Sequence, residues 1–266
     1  MKKKYWSILF FVLAMSILTA CGSSDSSSGN PESEPTEEKK VLTVGTSADY
    51  PPFEYVDSEK SDEIIGFDID LLNAIASKLG YEVNVVDMDF GSLIPGLQAG
   101  KMDLIMAGMT QNEERMEVVD FSVPYYESAQ MLVTKKDSKI EKLEDLEGLT
   151  VGAQISSTQE LAAKKIQETI DIQVESRNRI PEIVQEIKSN RFDVAVIEEV
   201  VSNELISQNP DLKSLDLLEE HNLQVSAVFS KGSKLKTEFD EVIEEMLENG
   251  EIEKLKQKWF ANNSTE

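Results

Sequence analysis

Stretches with the two-residue period of a half-buried strand and stretches with the 3.6-residue period of an amphipathic helix alternate along this chain from Val41 to Phe260. Val41–Gly45 reads as a short strand closed by the turn-rich Asp49-Tyr50-Pro51-Pro52. Leu71, Leu72, Ile75, Ala76 and Leu79 then recur at helical spacing, with Asp68 placed as the cap and Gly80 as the stop. The same grammar predicts a strand over 81–86, a helix over 92–99 ended by Gly100, and a buried strand over 102–107. Thr110-Gln111-Asn112-Glu113 has the form of a capping box that opens another helix. Further on come a strand over 149–154, a helix from Ser157 with Glu160 as a second box residue, and a strand over 174–176. A helix over 181–189, a strand over 192–197 and helices over 234–248 and 252–260 complete the series.

Strands alternating with helices predict an α/β protein built on parallel sheets covered on both faces. Two stretches break the alternation, 128–134 and 223–229, and read as long strands that link two lobes across a hinge. Lobe one is then discontinuous, 41–129 plus 229–262, and lobe two is 134–223.

The first forty residues follow a different pattern. Lys2, Lys3 and Lys4 precede an apolar run from Ile8 to Leu18, and Leu18-Thr19-Ala20-Cys21-Gly22 places small residues before the only cysteine of the chain. That string resembles a bacterial lipoprotein cleavage box, which implies removal of residues 1–20 as a signal peptide and lipidation of Cys21. The alternative is an uncleaved N-terminal anchor, for which the apolar core is short against the roughly 20 residues of a membrane span. Residues 21–40 are rich in Ser, Glu, Pro and Gly without apolar period, and read as a disordered tether.

With 50 acidic and 26 basic residues the formal charge is −24, and the segment 1–20 carries three lysines and no acid, so its removal leaves the rest more acidic still. Such a surface repels nucleic acid and anionic lipid head groups. A single cysteine allows no intramolecular disulfide, so the fold rests on its apolar core.

Candidate chemistry is sparse. The folded part has no cysteine nucleophile, no His/Cys cluster with metal spacing and no glycine-rich phosphate loop, and the only histidine is His221. No catalytic set, cofactor or metal is expected. What remains is Ala107-Gly108-Met109-Thr110 followed by Arg115, at a strand end and the first turn of a helix. Unpaired N–H groups, the Thr110 hydroxyl and a planar guanidinium together make a carboxylate receptor. The competing reading has Thr110 as a simple cap and Arg115 paired with Glu113, Glu114 or Glu117 on its own helix.

Gly66-Phe67-Asp68-Ile69-Asp70-Leu71-Leu72, preceded by Val44-Gly45-Thr46 and Tyr50-Pro51-Pro52-Phe53 and followed by Asp120-Phe121-Ser122-Val123-Pro124-Tyr125-Tyr126, resembles the polar-amino-acid solute-binding proteins of ATP-binding-cassette importers, bacterial family 3. The likeness covers 41–260. It implies the two-lobed type II periplasmic-binding-protein-like fold, closing on a free amino acid at the hinge.

The resemblance also implies roles. Arg115 corresponds to the arginine that grips the α-carboxylate, with Thr110 assisting, and Ser157-Thr158-Gln159 to the facing loop that meets the same anion. Glu198 stands where the family has an aspartate for the α-ammonium, with Glu199 as a competing assignment, and Ala107, Gly108 and Thr110 line that pocket. Tyr50 and Phe90 correspond to aromatic walls for the side chain, and Gln154 to a side-chain contact. The resemblance also implies that Ser47 stands where several binders of basic or amide side chains have aspartate, which weakens the case for an arginine, lysine or histidine ligand, although Asp49, Asp87, Asp89 and Glu199 offer negative charge nearby.

The expected function is capture of a polar L-amino acid by a monomer and its delivery to a membrane permease. The place implied is the outer face of the cytoplasmic membrane, or the periplasmic side where an outer membrane exists. The rivals are a secreted dehydratase on the same fold, using Glu198 or Glu199 as an acid, and a ligand-binding sensor or adhesin.

Overall fold

The computed structural model describes residues 40–57, 61–218 and 221–260. The signal-peptide, tether and lipidation expectations at residues 1–39, including Cys21, lie outside these described residues.

The elements run β1 (Val41–Thr46), β2 (Asp49–Tyr50), β3 (Glu54–Val56), β4 (Ile64–Ile65), α1 (Phe67–Leu79), β5 (Glu82–Asp87), a 3-10 turn Phe90–Ser92, α2 (Leu93–Gln98), β6 (Leu104–Ile105), α3 (Glu113–Val118) and β7 (Val119–Phe121). They continue with β8 (Tyr126–Lys135), a 3-10 turn Leu143–Leu146, β9 (Thr150–Gln154), α4 (Thr158–Gln167), β10 (Gln173–Arg177), α5 (Ile180–Lys188) and β11 (Val194–Glu198). The last are α6 (Glu199–Gln208), β12 (Leu212–Leu215), β13 (His221–Val225), β14 (Val228–Ser230), α7 (Lys234–Glu248) and α8 (Glu251–Phe260).

Two sheets divide the molecule into two lobes. The first has the order β5-β1-β6-β14-β7, and the second β10-β9-β11-β8-β12 with β13 paired to β8. As expected from the alternation, β5, β1 and β6 are parallel, and so are β10, β9 and β11. The other strands are antiparallel: β14 on β6 and β7, and β8 on β11, β12 and β13. The reason is the hinge, because a chain that leaves one sheet for the other and returns must run against the crossovers it interrupts. The crossing over 223–229 is accordingly broken, β13 ending in the second sheet and β14 beginning in the first.

Helices α1, α2, α3 and α7 cover the first sheet, with α8 packed on α1 and α7, and α4, α5 and α6 cover the second. One apolar cluster runs through both lobes, from Leu71, Leu72 and Ile75 of α1 by way of Phe53 and Tyr125 to Ile183 and Ile187 of α5. The outer faces carry separate clusters, around Leu93, Leu97 and Val119 in the first lobe and around Val151, Ala163 and Val196 in the second.

Two local expectations change. Asp68 does not cap α1; Gly66 is the N-cap, at φ 140°, and a Cβ there would stand 2.1 Å from the Phe53 carbonyl oxygen. Asp68 is instead fully buried, its Oδ2 accepting the Gly108 N–H and the Tyr125 hydroxyl, both at 2.8 Å. Thr110 does not cap α3 either: Asn112 does, its Oδ1 accepting the Arg115 N–H at 2.8 Å. Thr110 is thereby freed for the cleft, where it bridges to Val225 of β13.

Candidate functional site

The cleft between the lobes is built from strand ends and helix starts, where backbone groups have no intrahelical partner. From the first lobe come β2, the 3-10 turn at Phe90 and the segment 108–110 that follows β6; from the second come the end of β9 and the first turn of α4. Ser47, Tyr50, Phe90, Gly108, Thr110, Arg115, Gln154, Thr158 and Gln159 line one small cavity, together with Glu54. The lobes meet so closely that this cavity encloses about 10 Å³, the space of one water molecule.

Arg115 enters from the first turn of α3 and is almost fully buried. Its Nη1 donates to the Thr110 carbonyl at 2.6 Å and its Nη2 to the Ser156 carbonyl across the cleft at 2.8 Å. The guanidinium also stands 5.4 Å from the Phe90 ring centroid, within cation–π reach. Burial pulls its pKa down to about 10, opposed by the charge of Glu114. Its hydrogen bonds thus go to carbonyls, so the cation keeps a need for an anion.

Opposite it, Ser157 caps α4: its Oγ accepts the Glu160 N–H at 3.1 Å and donates to the Gln154 carbonyl at 2.6 Å. The next residue, Thr158, is the first of the helix and lines the cavity. Gly108 has φ 54°, and a Cβ there would lie 3.1 Å from the Tyr50 ring, so glycine lets the aromatic wall close onto the backbone. Ala107, Ser157 and Glu198 do not line the cavity: the Ala107 methyl packs in the apolar cluster around Leu93 and Met109, and Glu198 meets the site only through the Tyr50 hydroxyl.

The acidic end is built around Tyr50. Its hydroxyl donates to Glu198 Oε2 at 3.1 Å and accepts from Gln159 Nε2 at 3.3 Å, so three residues from both lobes meet at one oxygen. Tyr50 stacks on Phe53 with ring centroids 5.9 Å apart. Glu198 ends β11, a strand buried along its whole length, whereas its neighbour Glu199 opens α6 and is exposed, which separates the two competing assignments. Burial raises the Glu198 carboxyl to about 8, against hydrogen bonds from Ser128 and Tyr50. Its Oε1 has no hydrogen-bond partner.

Sequence reasoning missed Glu54. It opens β3, is wholly shielded from solvent, lines the cavity, and has no hydrogen-bond partner on either carboxylate oxygen. Burial, then Asp68, Asp49 and Glu198, push its carboxyl well above the usual range. A buried, unpaired carboxyl is costly, and a protein keeps one where something else supplies its partner. The one sequence signal is its place: Glu54 follows Tyr50-Pro51-Pro52-Phe53 at once.

The acids near Ser47 are otherwise engaged. Ser47 Oγ donates to Asp49 Oδ1 at 2.7 Å, and Asp49, Asp87 and Asp89 all hold Arg179, the residue before α5. Gln154 Nε2 donates to the Asn178 carbonyl at 3.0 Å, alongside that group. Among the described residues no group of three or more His, Cys, Asp or Glu could hold a metal ion, and no helix is long and apolar enough to cross a membrane.

The chain as a whole is similar to known proteins. An arginine-binding extracellular protein of Bacillus subtilis is 45% identical over 97% of this chain and 98% of its own. The structure of an ancestral arginine-binding protein bound to arginine matches with a TM-score of 0.78 at 40% identity, covering 84% of this chain and 99% of that one. An ancestral amino acid-binding protein described as a precursor of cyclohexadienyl dehydratase matches with a TM-score of 0.76 at 34% identity, covering 83% and 95%. The family model for bacterial extracellular solute-binding proteins, family 3, matches residues 42–262, and the chain belongs to that family.

Proposed function

We propose that this protein captures free L-arginine, or a closely similar cationic amino acid, between its lobes and hands it to the permease of an ATP-binding-cassette importer. The observation that carries the reading is one closed cleft lined by a carbonyl-bonded guanidinium and by the buried, unpartnered carboxyl of Glu54, with the incompletely partnered Glu198 directly behind Tyr50. A zwitterion with a cationic side chain matches that charge order. Arg115 and the N-terminal turn of α4 take the α-carboxylate, Glu198 and the Gly108 carbonyl the α-ammonium, and Glu54 the side-chain cation between Tyr50 and Phe90. Ser47 loses its force as an argument against a basic ligand, because Glu54 supplies a carboxylate from seven positions further on. The arginine-binding relatives support the same choice.

The cavity is too small for an amino acid, so entry requires the lobes to part and binding to bring them together again. The hinge reading takes 41–129 plus 229–262 as one lobe and 134–223 as the other. A lipid on Cys21 holds the monomer to the outer face of the membrane, and the protein itself does no chemistry. Micromolar affinity corresponds to about −8 kcal/mol, which charge-assisted hydrogen bonds in a desolvated cleft can largely supply.

A thermal-shift screen over the twenty amino acids and cystine tests this, since a ligand selective for the folded state raises its melting temperature. Arginine is expected to give the largest shift, and Arg115→Ala to abolish it while the ligand-free protein still melts cooperatively. Near-normal calorimetric affinity in that variant would remove the carboxylate assignment. A second reading has one observation in its favour: burial raises the Glu198 carboxyl to about 8 directly behind the cavity-lining Tyr50 hydroxyl, the value a general acid needs. Incubation with arogenate or prephenate, followed for aromatic product, decides it.

A further inference from the structure

Beside the ligand cavity, and separate from it, the lobes meet a second time through charge. Arg179 Nε donates to Asp89 Oδ1 at 2.9 Å, Nη1 to Asp87 Oδ1 at 2.9 Å and to Asp49 Oδ1 at 3.5 Å, and Nη2 to Asp87 Oδ2 at 3.3 Å. The two residues flanking Arg179 add to this. The Ile180 N–H donates to Asp49 Oδ2 at 2.7 Å, and Asn178 Nδ2 to Asp89 Oδ2 at 3.2 Å. All three aspartates belong to the first lobe, at β2, the end of β5 and the start of the 3-10 turn, while residues 178–180 belong to the second. Neither Arg179 nor any of the three aspartates lines the ligand cavity.

These contacts need no ligand. Closing the lobes makes them, and parting the lobes leaves three carboxylates of one small region without their cation. Arg179 is only about a quarter exposed and its planar fork meets Asp87 through two nitrogens, the geometry in which arginine pairs contribute most. A network of this kind counts for more than a single surface pair.

We infer that Arg179 is a closing latch: by clasping Asp49, Asp87 and Asp89 it sets the balance between open and closed forms independently of ligand contact, and so slows release of whatever the cleft holds. Its ligand-linked part rests on the proposed amino-acid function; the ligand-free balance does not. The latch acts on the dissociation rate, because the lobes must part before ligand leaves. It is also sensitive to salt, since Asp87 and Asp89 are each more than 40% exposed and screening reaches them.

Small-angle scattering of the ligand-free protein, with and without Arg179→Gln, tests this. The variant is expected to show a larger radius of gyration in low salt, and raising the salt to about 0.5 M, where the Debye length is only a few Å, is expected to expand the wild type but not the variant. With L-arginine as the probe, dissociation is expected to be roughly three- to tenfold faster in the variant, by the measured range for partly exposed pairs acting together. Asp87→Asn is expected to do the same, and to add little on top of Arg179→Gln; it carries the test should the arginine variant fail to fold. Equal radii of gyration and equal salt responses in folded Arg179→Gln and wild type would overturn the latch, whether or not any amino acid binds.

Discussion

Two sets of carboxylates lie on either side of β2, one held by a cation of the protein and one not, and burial raises Asp49 of the first set as it raises the second. Asp49, Asp87 and Asp89 form the rim set, matched to Arg179. Burial alone would lower the Arg179 guanidinium, yet Asp87, Asp49 and Asp89 hold it above its ordinary value. Glu54 and Glu198 form the inner set, with Asp68 behind them. Burial raises all three, Asp68 to about 7 even though Gly108 and Tyr125 hydrogen-bond it. The lesson lies in the partner. Acids matched by the protein's own cation hold the architecture, whereas buried acids left without one mark what the protein is built to receive.

The sharpest way to break this contrast is Glu54→Gln. Removing one member of a buried charge pair typically costs 2–5 kcal/mol, so arginine affinity is expected to fall about a hundredfold or more. The ligand-free protein should melt no lower than wild type, because a buried carboxyl without partners is traded for a neutral amide. Isothermal calorimetry and a melting curve together check both halves. Unchanged affinity would mean that the inner set is structural and the contrast false.

A titration separates the sets next. The folded-state value of Glu198, about 8, lies above the ordinary glutamate range near 4.3. A group raised in this way contributes stability that is complete below its unfolded value and is lost as pH rises through the folded one. The ligand-free melting temperature is therefore expected to fall between pH 5 and pH 8 on account of the inner set, and Glu198→Gln to flatten that slope. Ligand binding runs the other way. A cation needs the carboxylates ionised, so arginine affinity is expected to strengthen from pH 6 to pH 8, by up to about tenfold per pH unit for each proton released. Calorimetry in two buffers of different ionisation enthalpy reads the protons directly, and no release would break the assignment.

Why the sequence disclosed one set's surroundings and not the sets' difference is a matter of range. Periodicity is local, so α1, α2, α4, α5, α7 and α8 and the parallel strands could be read from it, and the capping serine of α4 with them. Helix α6 escaped because it begins directly at the end of β11, without a turn residue between Ile197 and Val200 to announce it. Partners distant in sequence were out of reach. Asp68 looks like a first-turn cap until Gly108 and Tyr125, 40 and 57 residues on, are brought to its oxygen. Asp49, Asp87 and Asp89 look like charge offered to a ligand until Arg179 arrives from the other lobe. Glu54 is in sequence one acid among fifty, and only the fold, at the start of β3, encloses it.

Ser47 tests the boundary between the sets with the smallest effect. It lines the cavity, yet its hydroxyl is directed at Asp49, whose other oxygen accepts the Ile180 N–H and whose charge is shared with Arg179. Ser47→Ala therefore removes one hydrogen bond from a rim aspartate that keeps two other partners. A neutral donor to a charged acceptor is worth about 1.5–3 kcal/mol at most, and part of that is recovered because Arg179 and the Ile180 N–H still hold the nearly buried carboxylate. Arginine dissociation is expected to quicken about two- to threefold, with the pH dependence of binding unchanged. A loss comparable to that of Glu54→Gln, with the pH dependence altered as well, would place Ser47 against the ligand and merge the two sets into one.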